Sequence, residues 1–191
     1  HCVFNSQWNL DSFLAEGANL LARMPDAVPP GWLEEIARRS RVMPLPLTLS
    51  QTPLHLEPPD IKERLQGPVI VWNHRWEHDK CPEVFFEVLN RLSQAGSPFR
   101  LIICGQKYRR HPPCFDQART ELAAHIIHWG MIDSRAAYEE ALQSAHIAVS
   151  TAQHEFFGIS MLEAAHFGCH PLVPDRLSYP EIFAQEYRYG S

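Results

Sequence analysis

Two segments carry residues whose chemistry goes beyond packing. The first, Asn73-His74-Arg75-Trp76-Glu77-His78-Asp79-Lys80, directly follows the apolar run Pro68-Val69-Ile70-Val71-Trp72. Arg75 offers a planar fork of donors and Lys80 a point charge, and two such cations suit a ligand that carries phosphates. The same charges also read as solvated side chains neutralised by Glu77 and Asp79. The segment contains His74-x-x-Glu77-His78, the spacing of inverted zinc proteases. That chemistry needs a helix, so that both imidazoles share one face, and a distant third ligand. A polar loop after a buried strand supplies no such helix. No metal site is therefore expected, and His74 and His78 are assigned to loop packing or ligand contact.

The second segment runs from Ser150 to Ala165 and holds Glu155, Gly158, Ile159, Ser160 and Glu163. Here a strand ends, a loop carries Glu155, and a helix starts near Gly158. Glycine lets a ligand approach the backbone closely. The unpaired amides of Gly158, Ile159 and Ser160 would then face that ligand, and a helix N-terminus favours an anion. Glu163 lies in the second turn, where a side chain tilts back toward the N-terminus. A carboxylate has two acceptor oxygens and suits a diol, and Glu155 could grip sugar hydroxyls in the same way. The alternative is that Glu155 caps the helix and Glu163 is an exposed helical residue.

These loops need a scaffold. The run 68–72 predicts a buried parallel strand. A helix over 82–92 follows, with Pro at its start and Val84, Phe85, Val88, Leu89 and Leu92 on one face. Strands are expected over 99–104, 126–129, 147–150 and 171–173, separated by helices over 116–124, 135–143 and 158–167. Five strands alternating with helices predict an α/β fold, a Rossmann-like doubly wound parallel sheet. Ligands bind such sheets at the carboxyl ends of the strands. Before residue 61 the chain differs: Cys2-Val3-Phe4 reads as a strand end, Asn5-Ser6 as capping residues, Leu10 to Leu21 as a helical stripe, and Trp32 to Ser40 as a short helix. Residues 41–60, rich in proline, read as an extended linker.

Composition narrows the class. The 191 residues are 45% hydrophobic, enough for a core, and the net charge of −5 does not suggest a nucleic-acid binder. No apolar stretch approaches the roughly 18 residues of a membrane span. Five scattered cysteines without a CxxC pair support neither a disulfide framework nor a zinc knuckle, and suit a reducing cytosol. A chain that opens on His1 and a strand end is expected to be part of a longer protein.

The segment His154-Glu155-Phe156-Phe157-Gly158-Ile159-Ser160-Met161-Leu162-Glu163-Ala164, with Arg75 and Lys80 upstream and Gly168-Cys169-His170-Pro171-Leu172-Val173-Pro174 after it, resembles the donor-site signature of retaining GT-B glycosyltransferases of group 1. The resemblance covers residues 68–183. It implies that residues 61–191 are the C-terminal nucleotide-sugar-binding domain of a GT-B fold, and residues 1–60 the tail of the acceptor domain plus the interdomain linker. Trp72 to Lys80, His128-Trp129-Gly130, His154 to Gly158, Tyr179-Pro180-Glu181-Ile182-Phe183, Phe4-Asn5-Ser6 and Pro44-Leu45-Pro46-Leu47 are similar in particular to the group of tRNA-queuosine mannosyltransferases.

The resemblance implies mannosyl transfer from GDP-mannose to queuosine in tRNA, without metal. Arg75, Lys80 and Glu155 would be the catalytic residues, the cations neutralising the departing diphosphate and Glu155 positioning the sugar. Asn73, His74, Phe157, Gly158, Ile159, Ser160 and Glu163 would bind the donor, Glu163 at the ribose, with Met131 and Ile132 meeting the base. Transfer RNA would be held by the preceding domain. Two other readings remain: a noncatalytic nucleotide-binding module, and a sugar-nucleotide epimerase of the same build. A dehydrogenase is disfavoured, because the loop after the first strand lacks G-x-G-x-x-G.

Overall fold

The computed structural model describes residues 1–25, 28, 30–49 and 66–190. Residues 50–60 of the expected linker, and the expected boundary after residue 60, lie outside these.

The N-terminal piece is a parallel pair of short strands, β1 (Cys2–Phe4) and β2 (Ser40–Val42), joined through helices α1 (Gln7–Leu21) and α2 (Trp32–Arg39). Residues 41 and 42, expected to begin an extended linker, therefore complete a strand beside β1. Ser6 caps α1 by accepting from the Asn9 amide at 3.1 Å. Two further amides of this helix end, those of Gln7 and Trp8, donate to the two oxygens of Glu181 at 2.8 and 2.7 Å. Glu181 thus joins the N-terminal piece to the larger sheet, at the end of a helix where a negative charge is favoured.

That sheet has six parallel strands: β3 (Val69–Trp72), β4 (Arg100–Cys104), β5 (Ile126–Gly130), β6 (Ile147–Val149), β7 (His170–Pro174) and β8 (Arg188–Tyr189), in the order β5-β4-β3-β6-β7-β8. Strand order reverses between β3 and β6. A crevice opens at their carboxyl ends, because the flanking connections leave in opposite directions. The helices are α3 (Pro82–Gln94), α4 (Cys114–Glu121), α5 (Arg135–Ser144), α6 (Ile159–His166) and the short α7 (Tyr179–Ile182).

Side chains alternate along each strand. Val69 and Val71 join Ile102, Cys104, Leu142, Met161 and Val173 in one core layer. Ile70 and Trp72 join Leu101, Ile103, Phe85, Phe86, Leu89 and Phe115 in the other. Burial on both faces explains why β3 is apolar throughout.

Three expectations are corrected. The sheet has a sixth strand, since β8 is too short to show a pattern of its own. Its Tyr189 hydroxyl donates to the Ser150 carbonyl at 2.8 Å and so braces the end of β6. On α3 the buried face comprises Pro82, Phe85, Phe86 and Leu89, while Val84 and Val88 are exposed. The cluster around Trp72, Phe115 and Trp129 draws in the ring of Phe86, turning the valines to solvent. The fourth helix starts at Cys114 and gives way to a 3-10 turn over Ala123–His125.

Candidate active site

The loop after β3 is built as much by buried polar contacts as by charge. Asn73 Nδ2 donates to the Tyr138 hydroxyl at 3.0 Å and to the Ser160 carbonyl at 2.9 Å. His74 is 4% exposed, its Nδ1 lies 3.1 Å from Ser160 Oγ, and its ring packs edge-on to Trp72. Gly105 has a φ of +136°, and a Cβ there would fall 1.9 Å from the His74 carbonyl oxygen. Only glycine lets the β4 loop close against this one. His78, by contrast, is exposed and faces Glu83 at 3.7 Å. The two histidines of the zinc-protease spacing thus occupy different environments, one buried and one in solvent.

Burial pushes the His74 imidazole down to about 4, with the Lys80 charge acting in the same direction and Glu155 and Asp79 opposing it. His74 is neutral at physiological pH. Its pKa in the folded chain lies below its unfolded value, so its stabilising effect is complete above about pH 6.5 and is lost as pH falls toward 4. The unfolded chain takes up a proton in that interval that the folded chain refuses. His74 alone should remove about 3 kcal/mol of stability across this window. Urea unfolding at pH 7.5, 6 and 5 should show that loss in the native chain and a flatter profile in His74→Gln. Identical profiles would mean that His74 is protonated in the folded state.

Lys80 is the centre of the site. Its side chain is 7% exposed, and its ammonium lies 2.5 Å from the His154 carbonyl, 3.2 Å from Asp79 and 3.3 Å from Glu155. Glu155, 15% exposed, also accepts from the amides of Phe156 and Phe157 at 3.1 and 3.4 Å. Lys80 and Glu155 form one buried ion pair between the two loops. A backbone bond from the Gln153 amide to the Asp79 carbonyl (2.8 Å) and one from Thr151 Oγ1 to the Lys80 carbonyl (2.7 Å) fasten the loops together. Arg75 is 52% exposed and pairs with Glu77 at 3.0 Å. Each cation therefore has a carboxylate neighbour, as the solvated reading expected. Only Arg75 is solvated, however, and its pair can open at little cost.

Gly158 starts α6 in the left-handed region, with φ +84°, and a Cβ would lie 2.9 Å from Tyr179 Cε1. No side chain caps the helix. The amides of Gly158, Ile159 and Ser160 have no partner among the described residues. Free amides at a helix N-terminus suit an anion. One turn on, Glu163 accepts from Arg135 Nη1 at 2.6 Å and from the Tyr138 hydroxyl at 3.0 Å. Arg135 also holds Glu139 at 2.6 Å. Asn73, Tyr138, Glu163 and Arg135 thus form a continuous chain of contacts from the first loop to the start of α5.

Two adjoining cavities meet across the α6 N-terminus. One of about 260 Å³ is lined by Asn73, His74, Arg75, Lys80, Glu155, Phe157, Gly158, Ile159 and Ser160. The other, of about 440 Å³, is lined by Met131, Ile132, Asp133, Arg135, Tyr138 and Glu163, and shares Asn73, His74, Arg75, Ile159 and Ser160 with the first. Every residue expected to contact the donor lies on one or both. A third cavity, about 860 Å³ and largely apolar, separates α1 from the loop 154–156 and reaches Glu155 from the other side. Asn9 links its two walls, its Nδ2 donating to the Phe156 carbonyl at 2.6 Å.

The pattern of the glycosyl transferases group 1 family matches residues 56–189, well over half of the chain. The chain belongs to this glycosyltransferase family. Residues 1–47 match a second pattern, the tRNA-queuosine alpha-mannosyltransferase N-terminal domain. The tRNA-queuosine alpha-mannosyltransferase of Drosophila melanogaster is 35% identical over 193 residues, covering 99% of this chain and 51% of that protein. The chain spans about half the length of this curated relative. Among solved structures, the pneumococcal O-GlcNAc transferase, determined with UDP and GlcNAc, matches with a TM-score of 0.66 at 11% identity, over 99% of this chain and 33% of that one. The C-terminal domain of a group 1 glycosyl transferase from Francisella tularensis matches at 0.56 and 18%, over 68% and 71%. These likenesses show the GT-B fold. No helix among the described residues is long and apolar enough to cross a membrane.

Sequence reasoning missed Arg135 and Tyr138 of this site. Both stand in the first turn of α5, behind the Ser134 cap. That turn follows the β5 loop, so the same strand-end logic applied one element further would have found them.

Proposed function

We propose that the chain is the donor-binding part of a retaining, metal-independent glycosyltransferase that moves mannose from GDP-mannose to queuosine in tRNA. One observation carries this reading: the unpaired amides of α6 lie between the Lys80–Glu155 pair on one side and Glu163 on the other. A diphosphate placed over those amides puts its nucleoside toward Glu163, Met131 and Ile132, and its sugar toward Glu155. The large cavity beyond Glu155 then receives the acceptor. Arg75, Lys80 and the amides stabilise the charge that grows on the leaving diphosphate, in the role a metal fills elsewhere. The departing phosphate takes the acceptor proton, so the site needs no separate strong base. The names of the Drosophila relative and of the N-terminal family support the choice of mannose and tRNA queuosine.

Calorimetric titration with GDP-mannose, GDP and UDP-glucose tests the donor. GDP-mannose and GDP should bind with or without chelator, and UDP-glucose should bind more weakly. Binding that disappears with chelator and returns with Mg²⁺ would overturn the metal-independent reading, and a preference for UDP-glucose would overturn the donor.

A further inference from the structure

The cations of the segment Gln106-Lys107-Tyr108-Arg109-Arg110-His111 after β4 line neither of the two donor cavities. Residues 105–115 contain no carboxylate, and the segment contributes +3 to a chain total of −5, leaving −8 elsewhere. Such a concentration on an acidic background marks a surface for a polyanion.

The segment is fixed in place. The Trp76 amide donates to the Gln106 carbonyl at 3.0 Å, the Tyr108 hydroxyl donates to Gln106 Oε1 at 3.0 Å, and Lys107 lies 5.4 Å from the Trp76 ring centre. Lys107 and His111 face Asp116 at 3.8 and 3.2 Å. Arg109 and Arg110 are exposed and have no carboxylate partner among the described residues. Gln106 lines the cavity that holds Glu163, whereas the three cations beyond it do not. They project from the carboxyl edge of the sheet, beside the crevice.

We propose that Arg109 and Arg110, flanked by Lys107 and Tyr108, form a docking surface for the phosphate backbone of the RNA acceptor. The proposal rests on the reading that the acceptor is a tRNA. Guanidinium groups bind phosphate bidentately, and such contacts position an RNA without reading its sequence. The ledge holds the RNA so that its modified base can reach the cavity beside Glu155.

The test uses fluorescence anisotropy of a labelled, unmodified tRNA transcript between 50 and 200 mM KCl, with GDP calorimetry in parallel. R109A/R110A should weaken tRNA binding about tenfold or more at low salt and flatten the salt dependence by about one to two phosphate contacts. R109K/R110K should keep most of that salt dependence, and GDP affinity should be the same in all three proteins. Unchanged tRNA affinity and slope in R109A/R110A, or no tRNA binding by the native chain, would overturn the proposal. Competition by poly-glutamate as strong as by unlabelled tRNA would assign the patch to an acidic protein instead. Failure of the native chain to bind GDP-mannose would sink the donor reading alone, because the RNA arms are read independently.

Discussion

Lys80→Ala will bind GDP about 10–100-fold more weakly while binding guanosine almost as the native chain does. Hydrogen bonds to charged groups contribute about 1.5–3 kcal/mol, and in the proposed donor pose only the diphosphate carries the charge that Lys80 meets. The same substitution leaves Glu155 buried without its cation, and breaking one side of a buried pair costs about 3–5 kcal/mol of stability. Adding Glu155→Gln to Lys80→Ala should restore much of the thermal stability without restoring GDP affinity, which separates unfolding from loss of the phosphate contact. Arg75→Ala should have a smaller effect in the same direction, because its guanidinium is half in solvent and paired with Glu77. Calorimetry with both ligands and a melting curve for each protein suffice. Equal losses for GDP and guanosine would place Lys80 away from the phosphates.

The two glutamates should then separate the ends of the donor. Glu163→Ala should weaken GDP and GDP-mannose alike, by about 1–3 kcal/mol. In the proposed donor pose it removes the carboxylate that meets the ribose, and it releases Arg135 and Tyr138 from their contacts. Glu155→Ala should leave GDP binding intact or slightly tighter, since Lys80 keeps Asp79 and is freed from one competing carboxylate. Turnover by the complete enzyme should nonetheless collapse, because the sugar is no longer held for attack. A GDP defect confined to Glu155→Ala would reverse the orientation of the donor in the crevice.

Much of the scaffold is local and was therefore legible. Val69 to Trp72 must be a strand buried on both faces, because no other element needs an unbroken apolar run with a polar loop on either side. Gly158 followed by Ile159, Ser160 and Glu163 marks a helix start open to an anion, because the missing cap and the glycine are both properties of adjacent residues. The packed face of α3 was less legible. Val84 and Val88 obey the helical period as well as Phe85 and Phe86 do, and only the aromatic cluster of the neighbouring elements selects between them.

By itself, the sequence determined the alternation of the first five strands of the large sheet with their helices, the two loops at their carboxyl ends and most, but not all, of the residues that line the crevice. The tertiary structure decided which charge meets which. Lys80 reads as a loop cation beside Asp79, yet its buried partner Glu155 is 75 residues away, and Asn73 reaches Ser160 across 87. Arg135 and Tyr138 join Glu163 from a helix that no spacing links to it. The physical reason is range. Helix starts and strand burial follow from neighbours in the chain, whereas an ion pair or a shared hydrogen bond exists only after the sheet order β5-β4-β3-β6-β7-β8 has brought the ends of β3 and β6 side by side.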